Sequence, residues 1–188
     1  EDLFKIADFT NESNIEYDDK KGNTSNFIES IDLHIKDVLS INFLDIEKIK
    51  QKRFKIVLDT INGASCVGFK KLLEELNCEI IHINNTPNGI FPRNPEPKTE
   101  NIKEISTLVL EHSADLALIT DPDGDRLAIV DNKGNVIIEE NTLVLCVDEF
   151  LNKTKTQQPV VTNLSTTSAL EDITKKYGVN VIRSAVGE

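Results

Sequence analysis

The chain has 188 residues, of which 39% are hydrophobic and 28% charged, and its formal net charge is −11. The apolar fraction is sufficient for a buried core. The acidic balance excludes nucleic acid as the main partner, because phosphate backbones bind basic surfaces. The sequence has no apolar run of about eighteen residues, so it predicts no membrane span. Its three widely spaced cysteines form no disulfide or metal motif, which favours a reducing cytoplasm.

The character of the chain changes near residue 26. Residues 10–26 are polar and predict a surface loop or tail. Apolar residues then recur at helical spacing and predict a helix over 26–40. A second short helix is predicted at 45–52, with Asp45 as its N-cap.

From residue 54 onward, strand patterns alternate with helix patterns. The predicted strands are 55–59, 78–84, 114–120 and 127–131, and the predicted helices are 67–77, 101–113 and 141–153. This alternation predicts an α/β fold, in which a three-layer α/β/α domain has a mixed, mostly parallel sheet. The turn NKGN after 127–131 predicts one antiparallel hairpin in that sheet. The loop 85–101 holds four of the six prolines, and Arg93 within it is interpreted as a surface side chain.

An internal similarity indicates how the chain is divided into domains. Residues 54–83 and 158–184 share the order strand, turn, helix, strand, which suggests that a second domain of the same type begins near residue 156. We therefore expect the tail of a truncated first domain at 1–26, a second α/β domain at 27–155, and the start of a truncated third at 156–188. The missing domains of the same chain are then its expected partners.

One short stretch, DPDGDR, places three carboxylates at alternate positions after an apolar strand. Asp121, Asp123 and Asp125 would repel each other at one point unless a hard cation lay between them, and Mg²⁺ prefers oxygen ligands. Gly124 allows the backbone to curl around an ion. The planar fork of Arg126 suits a phosphate held by the same metal. The stretch therefore predicts a Mg²⁺ site with a phosphate contact beside it.

Several other interpretations of DPDGDR can be compared with its letters. One alternative is an Asx-rich turn with solvated acids, and another is that Arg126 is a structural counter-charge. An EF-hand fails because Arg126 occupies the sixth position and Asn132 the twelfth. A haloacid-dehalogenase phosphatase motif fails at Gly124. A glycosyltransferase-like DxD fits, but it leaves Asp125 and Arg126 without a role.

The whole pattern resembles the α-D-phosphohexomutases. DPDGDR, followed by LAIVD, is similar to that family's metal-binding loop DGDxDR, and Pro122 is the departure. FKIVLDTINGAS resembles the opening strand and turn of the family's second domain, and GIFPRNPEPKTENI resembles a later loop of that domain. VVTNLSTTSAL followed by RSAVGE looks like the start of its third domain.

The resemblance implies a phosphohexomutase, an enzyme that interconverts hexose 1-phosphate and hexose 6-phosphate through a phosphoserine and a hexose 1,6-bisphosphate. It implies that Asp121, Asp123 and Asp125 hold Mg²⁺ and that Arg126 is catalytic. The phosphoserine loop is not found in this sequence, so we expect the chain alone to be inactive. A glucosamine or mannose phosphate is the favoured substrate.

The resemblance also implies a substrate-binding loop at the end of the sequence. Ser184, Val186 and Gly187 correspond to the family's TxVG loop, with Ser184 in place of the threonine. The hydroxyl cluster at 165–168 is interpreted as the cap of a helix over 168–176, with Ser168 at its start. The alternatives to a mutase are a stand-alone metal-dependent module for sugar nucleotides or phosphate, and a cation-stabilised scaffold domain.

Overall fold

The fold is that of a computed structural model, which describes residues 22–137 and 139–186. Two compact units divide the chain, residues 1–30 and 31–188, and almost every described element lies in the second. The predicted domain tail at 1–26 lies outside the described residues except for its last five positions.

The strands are β1 (Lys55–Asp59), β2 (Glu79–Ile83), β3 (Leu116–Thr120), β4 (Leu127–Asp131), β5 (Val136–Ile137), β6 (Val160–Asn163) and β7 (Val181–Ser184). The helices are α1 (Ser30–Leu39), α2 (Ile46–Lys52), α3 (Cys66–Glu75), α4 (Lys103–Glu111), α5 (Glu139–Thr154) and α6 (Ala169–Lys175), with a 3₁₀ turn at Thr99–Asn101.

The main sheet has five strands in the order β2-β1-β3-β4-β5. Strand β1 pairs in parallel with β2 and with β3, whereas β3, β4 and β5 form antiparallel pairs. Strands β6 and β7 form a separate parallel pair. The predicted α/β class with a mixed, mostly parallel sheet is confirmed, and the hairpin predicted after NKGN is the β4–β5 pair.

Strand β1 is buried on both faces because alternate residues point to opposite sides of a strand. On one face, Val57 packs in a cluster with Ile105 and Val109 from α4. On the other face, Leu58 packs in a cluster with Leu73 from α3. The two helices therefore cover opposite faces of the sheet, which gives the three layers that the sequence predicts.

The parallel strands β1, β2 and β3 end at the same edge of the sheet, because their carboxyl ends point the same way. Three loops start there: 60–65 after β1, 84–98 after β2 and 121–126 after β3. The loop after β1 turns sharply, since Ile61 and Asn62 both have left-handed backbone conformations, with φ of 46° and 58°. A β-branched residue rarely adopts this conformation, and such strain is concentrated at functional sites.

The C-terminal elements follow the predicted order of strand, helix and strand. Helices α5 and α6 pack against each other, Leu151 and Leu170 are buried, and the Tyr177 hydroxyl donates to Asp148 at 2.7 Å. The predicted domain boundary at residue 155 stays a prediction. Among the described residues, no helix is both long and apolar enough to span a bilayer.

The sequence predicts side-chain caps for two helices, α2 and α6. The Asp45 carboxylate accepts the Lys48 N–H at 3.0 Å, so the predicted cap of α2 is confirmed. The hydroxyl cluster predicted to cap α6 contributes a bond through Thr167, whose hydroxyl accepts the Ala169 N–H at 3.4 Å. Ser168, the residue before the helix, has helical backbone angles, and its side chain makes no cap bond.

Replacing Leu170 with alanine should loosen the β6–α6–β7 segment more than the main sheet. The side chain is fully buried, so we expect a loss of about 2–5 kcal/mol in stability. Hydrogen exchange should accelerate most at the amides of β6 and β7, because these strands form their own sheet. Leu164→Ala, at a side chain that is 65% exposed, is the control. Equal acceleration in β1 and β3 would contradict the expected independence of the two sheets.

Candidate metal and phosphate site

Three carboxylates meet in the loop after β3. Oxygen atoms of Asp121, Asp123 and Asp125 all lie within 4.8 Å of one another, and among the described residues this is the one acidic, histidine or cysteine cluster with metal-binding spacing. Asp121 is buried, while Asp123 and Asp125 are exposed. The site therefore has one ligand fixed in the protein and two that face solvent.

The loop curls because the first aspartate binds its backbone. Oδ1 of Asp121 accepts the N–H of Gly124 at 3.1 Å and the N–H of Arg126 at 3.2 Å. Gly124 has φ of 82°, a conformation that disfavours a residue with a Cβ atom. The three carboxylates therefore converge through a turn that begins where β3 ends.

These residues fit a hard divalent cation. Carboxylate oxygens are the ligands that Mg²⁺ prefers, and it usually retains positions for water or a phosphate oxygen. Oδ1 of Asp121 accepts hydrogen bonds from the backbone of the loop. Among the described ion pairs, the partner of its Oδ2 is Arg126 Nε, at the long distance of 3.9 Å. A cation held by this set would remain accessible from solvent through Asp123 and Asp125.

Arg126 lies beside the carboxylates but is not locked to them. Its Nε is 3.8 Å from Asp125 and 3.9 Å from Asp121, and its NH1 is 3.5 Å from Glu96. The side chain is 49% exposed. These long contacts give little support to a structural counter-charge, because exposed ion pairs contribute only about 0–1 kcal/mol. The guanidinium keeps donors available for a ligand.

The loop after β1 touches the metal loop through its backbone. The Ala64 N–H donates to the Pro122 carbonyl at 2.8 Å. A Cβ atom at Gly63 would lie 2.3 Å from that carbonyl oxygen, far inside van der Waals contact. The hydroxyls of Ser65 and Thr120 are 2.7 Å apart. Only glycine at position 63 permits this close approach, which the sequence alone did not indicate.

The Arg93 side chain is largely buried, so its interpretation as a surface side chain is wrong. The side chain is 12% exposed, and its Nε donates to Oδ2 of Asp59, which is fully buried, at 2.8 Å. Its NH2 donates to the Thr120 carbonyl at 3.0 Å, and its NH1 donates to two carbonyls of its own loop. The proline-rich loop folds back over the sheet edge because the buried carboxylate needs a cation.

A second polar cluster lies beside the first loop. The Thr60 hydroxyl is 2.8 Å from Nε2 of His82 and 3.1 Å from Sγ of Cys66. Burial lowers the pKa of His82, and the nearby charge of Lys70 lowers that pKa further. The imidazole is therefore neutral and hydrogen-bonded to a hydroxyl, which is typical of a structural histidine.

Of the residues predicted to bind substrate, the structure describes Ser184 and Val186. Ser184 ends β7, and its hydroxyl donates to the Thr162 carbonyl at 3.3 Å. Val186 is 62% exposed, and Gly187 lies outside the described residues. Ser184 belongs to the two-stranded sheet, whereas the metal loop follows a strand of the main sheet. Their role in substrate binding stays a prediction.

Two family models match nearly all of the described chain. The first, phosphoglucomutase/phosphomannomutase α/β/α domain II, covers residues 32–134. The second, α/β/α domain III of the same group, covers residues 139–188. The metal loop lies near the end of the first match, and α5 to β7 lie in the second.

Curated relatives and a solved structure agree with these models. The chain is 38% identical over 148 residues, 78% of its length, to a phosphoglucomutase/phosphomannomutase of Thermococcus kodakarensis. It is 34% identical over 167 residues, 85% of its length, to a phosphomannomutase of Methanocaldococcus jannaschii. These matches cover 32% and 37% of the two relatives, so the chain spans about a third of their length. A solved structure of a phosphoglucomutase/phosphomannomutase family protein from Burkholderia thailandensis has the same fold, with a TM-score of 0.75 and 22% sequence identity. The match covers 98% of this chain and 38% of the Burkholderia protein.

Replacing Gly63 with alanine should displace the metal loop without unfolding the protein. The added methyl group would collide with the Pro122 carbonyl, so Asp121 and its neighbours must shift. Losing a group that orients metal ligands typically costs about 10- to 100-fold in metal affinity. Titration of Mg²⁺ by calorimetry measures the loss, and circular dichroism checks the fold. Gly68→Ala is the matched control, because its Cβ would meet its nearest neighbour at 3.8 Å. Equal affinities in the two variants would contradict the prediction.

Replacing Arg93 with alanine should leave the buried Asp59 carboxylate without its cation. Removing one partner of a buried pair typically costs about 3–5 kcal/mol. Arg93→Lys should recover only part of that loss, because a lysine cannot reach Asp59 and the Thr120 carbonyl with one planar group. Urea unfolding measures both variants. The control Lys103→Ala, at an exposed cation of the same region, should cost less than about 1 kcal/mol. A similar small loss for Arg93→Ala would show that the pair does not stabilise the fold.

Proposed function

This chain belongs to the phosphoglucomutase/phosphomannomutase family, and from that premise we propose that it supplies the magnesium-binding loop of a phosphohexomutase. The whole enzyme would interconvert hexose 1-phosphate and hexose 6-phosphate through a phosphoserine and a hexose 1,6-bisphosphate. The observation that supports this most directly is the cluster of Asp121, Asp123 and Asp125, with the Arg126 guanidinium less than 4 Å from two of them.

The three aspartates are proposed to hold Mg²⁺. Asp121 anchors the loop by accepting two backbone N–H groups, so the positions of the other two carboxylates follow from it. When bound, the ion would neutralise charge on the phosphate oxygens, which is the main requirement of phosphoryl transfer. The acidic loop by itself would repel a phosphate, so the charge of the cation and of Arg126 must offset three carboxylates.

Arg126 is proposed to bind and orient the phosphoryl group. A planar guanidinium donates two parallel hydrogen bonds to phosphate oxygens, which a lysine cannot do. Its half-exposed position and long ion pairs leave these donors free to rearrange towards a ligand. In the transition state such a group contributes more than in the ground state, because charge on the transferring oxygens is then redistributed.

The substrate is proposed to be a hexose phosphate, with a glucosamine or mannose phosphate favoured, and Ser184, Val186 and Gly187 are proposed to contact it. The phosphoserine and the general base would come from other domains of the same protein, so the chain alone is proposed to be inactive. Three free thiols, at Cys66, Cys78 and Cys146, support a reducing compartment such as the cytoplasm. Family membership favours a mutase over a sugar-nucleotide module that uses a bare DxD.

Replacing Asp123 with asparagine should weaken Mg²⁺ binding at least about tenfold, because one of three charged ligands is lost. Calorimetric titration of the purified chain measures the change. Asp172→Asn is the matched control, since Asp172 is an exposed carboxylate on α6 with the same charge. The family's activity is assayed separately, with glucose 1-phosphate and mannose 1-phosphate.

Two outcomes would contradict the proposal. Equal Mg²⁺ affinity in the natural chain and Asp123→Asn would exclude the loop as the metal site. Turnover of either sugar phosphate by the pure chain, retained in Asp123→Asn, would show that neither the metal loop nor a separate phosphoserine domain is required.

A further inference from the structure

We propose that Glu96 is a positioning residue, whose carboxylate holds Arg126 away from Asp121 and Asp125 and thereby keeps these two ligands available to a divalent cation. The inference rests on the proposed metal-binding function of the loop. It concerns a residue in the loop after β2, 25 positions before the first aspartate.

Glu96 is held in place from several directions. Its backbone N–H donates to Oδ1 of Asn94 at 3.1 Å, and its carbonyl accepts from Nδ2 of Asn101 at 2.8 Å and from the Lys98 N–H at 2.8 Å. Its side-chain Oε2 lies 2.9 Å from Nζ of Lys98. This hydrogen bond lowers the pKa of Glu96, so the carboxylate is charged at neutral pH.

The loop that carries Glu96 is also tied to the metal loop. Arg93, three residues earlier, donates to the carbonyl of Thr120, the residue before Asp121. The same arginine binds the buried carboxylate of Asp59. We therefore infer that the Arg93–Asp59 ion pair sets the distance between Glu96 and the metal ligands, and that the exposed Glu96–Arg126 pair does not.

Arg126 lies between two groups of carboxylates. On one side its NH1 is 3.5 Å from Glu96, and on the other its Nε is 3.8 Å from Asp125 and 3.9 Å from Asp121. A guanidinium paired with Asp121 and Asp125 competes with a metal ion for the same oxygens. Glu96 offers it a carboxylate that does not belong to the aspartate cluster.

Neutralising Glu96 removes the carboxylate that pairs with Arg126 outside the aspartate cluster. Within the described residues, the ion pairs of Arg126 would then be limited to Asp121 and Asp125. Arg126 should move towards these two oxygens, and a cation must displace it to bind. Glu96→Gln should therefore weaken metal binding, and it should do so only when Arg126 is present.

The experiment is a double-mutant cycle on Mn²⁺ affinity, measured from the electron paramagnetic resonance signal of free Mn²⁺. We expect Glu96→Gln to weaken binding about two- to fivefold, the range that an exposed ion pair supports. Arg126→Ala should bind Mn²⁺ at least as tightly as the natural chain. Adding Glu96→Gln to Arg126→Ala should change the affinity by less than about 1.5-fold, within the scatter expected of uncoupled changes.

The matched control is Glu100→Gln, which removes the same charge from an exposed position in the 3₁₀ turn that follows the loop and should leave the affinity unchanged. Two results would overturn the proposal. The first is that Glu96→Gln binds Mn²⁺ as the natural chain does. The second is that it weakens binding equally with and without Arg126, as a direct ligand or a general field effect would. Failure of the metal-binding function is a different result, because then the natural chain and Asp123→Asn would bind Mn²⁺ alike.

Discussion

The buried ion pair between Asp59 and Arg93 is the interaction on which the arrangement of the candidate site depends. Asp59 is the last residue of β1 and is fully buried, so its charge requires a cation and hydrogen bonds. Besides Arg93, it accepts from the Ile61 N–H and from Nδ2 of Asn84. One carboxylate thus fixes the starts of the loops after β1 and β2, and Arg93 extends the connection to the end of β3 through Thr120.

This connection explains how an exposed, highly charged loop can have a defined position. Asp123, Asp125 and Arg126 have few contacts of their own, and flexible charged side chains on a surface do not fix a backbone. The loop is held by its buried end at Asp121 and by the backbone contact between Ala64 and Pro122. The residues proposed to act on phosphate therefore remain movable on a rigid base, which suits a site that must accept and release a ligand.

The secondary structure followed closely from local patterns. Strands β1, β3 and β4 end at the predicted residues, because short β-branched runs bounded by turn residues have few other interpretations. Helix ends were less accurate, as with the helix predicted at 101–113, which is a 3₁₀ turn followed by α4 at Lys103–Glu111. The sequence did not indicate which hydroxyl of the 165–168 cluster bonds at the start of α6, because several hydroxyls compete for the same N–H groups and their order does not decide between them.

The sequence by itself determined which charged groups form the candidate site, because Asp121, Asp123, Asp125 and Arg126 lie within six consecutive residues. Local order is sufficient there, since a turn of that length must bring the side chains together. Only the tertiary structure decided what supports them: Gly63 and Arg93 are 59 and 29 positions before Pro122. Gly63 and Arg93 come close to Pro122 because the parallel strands place their loops at one edge of the sheet. The spacing of these residues along the chain does not indicate that proximity.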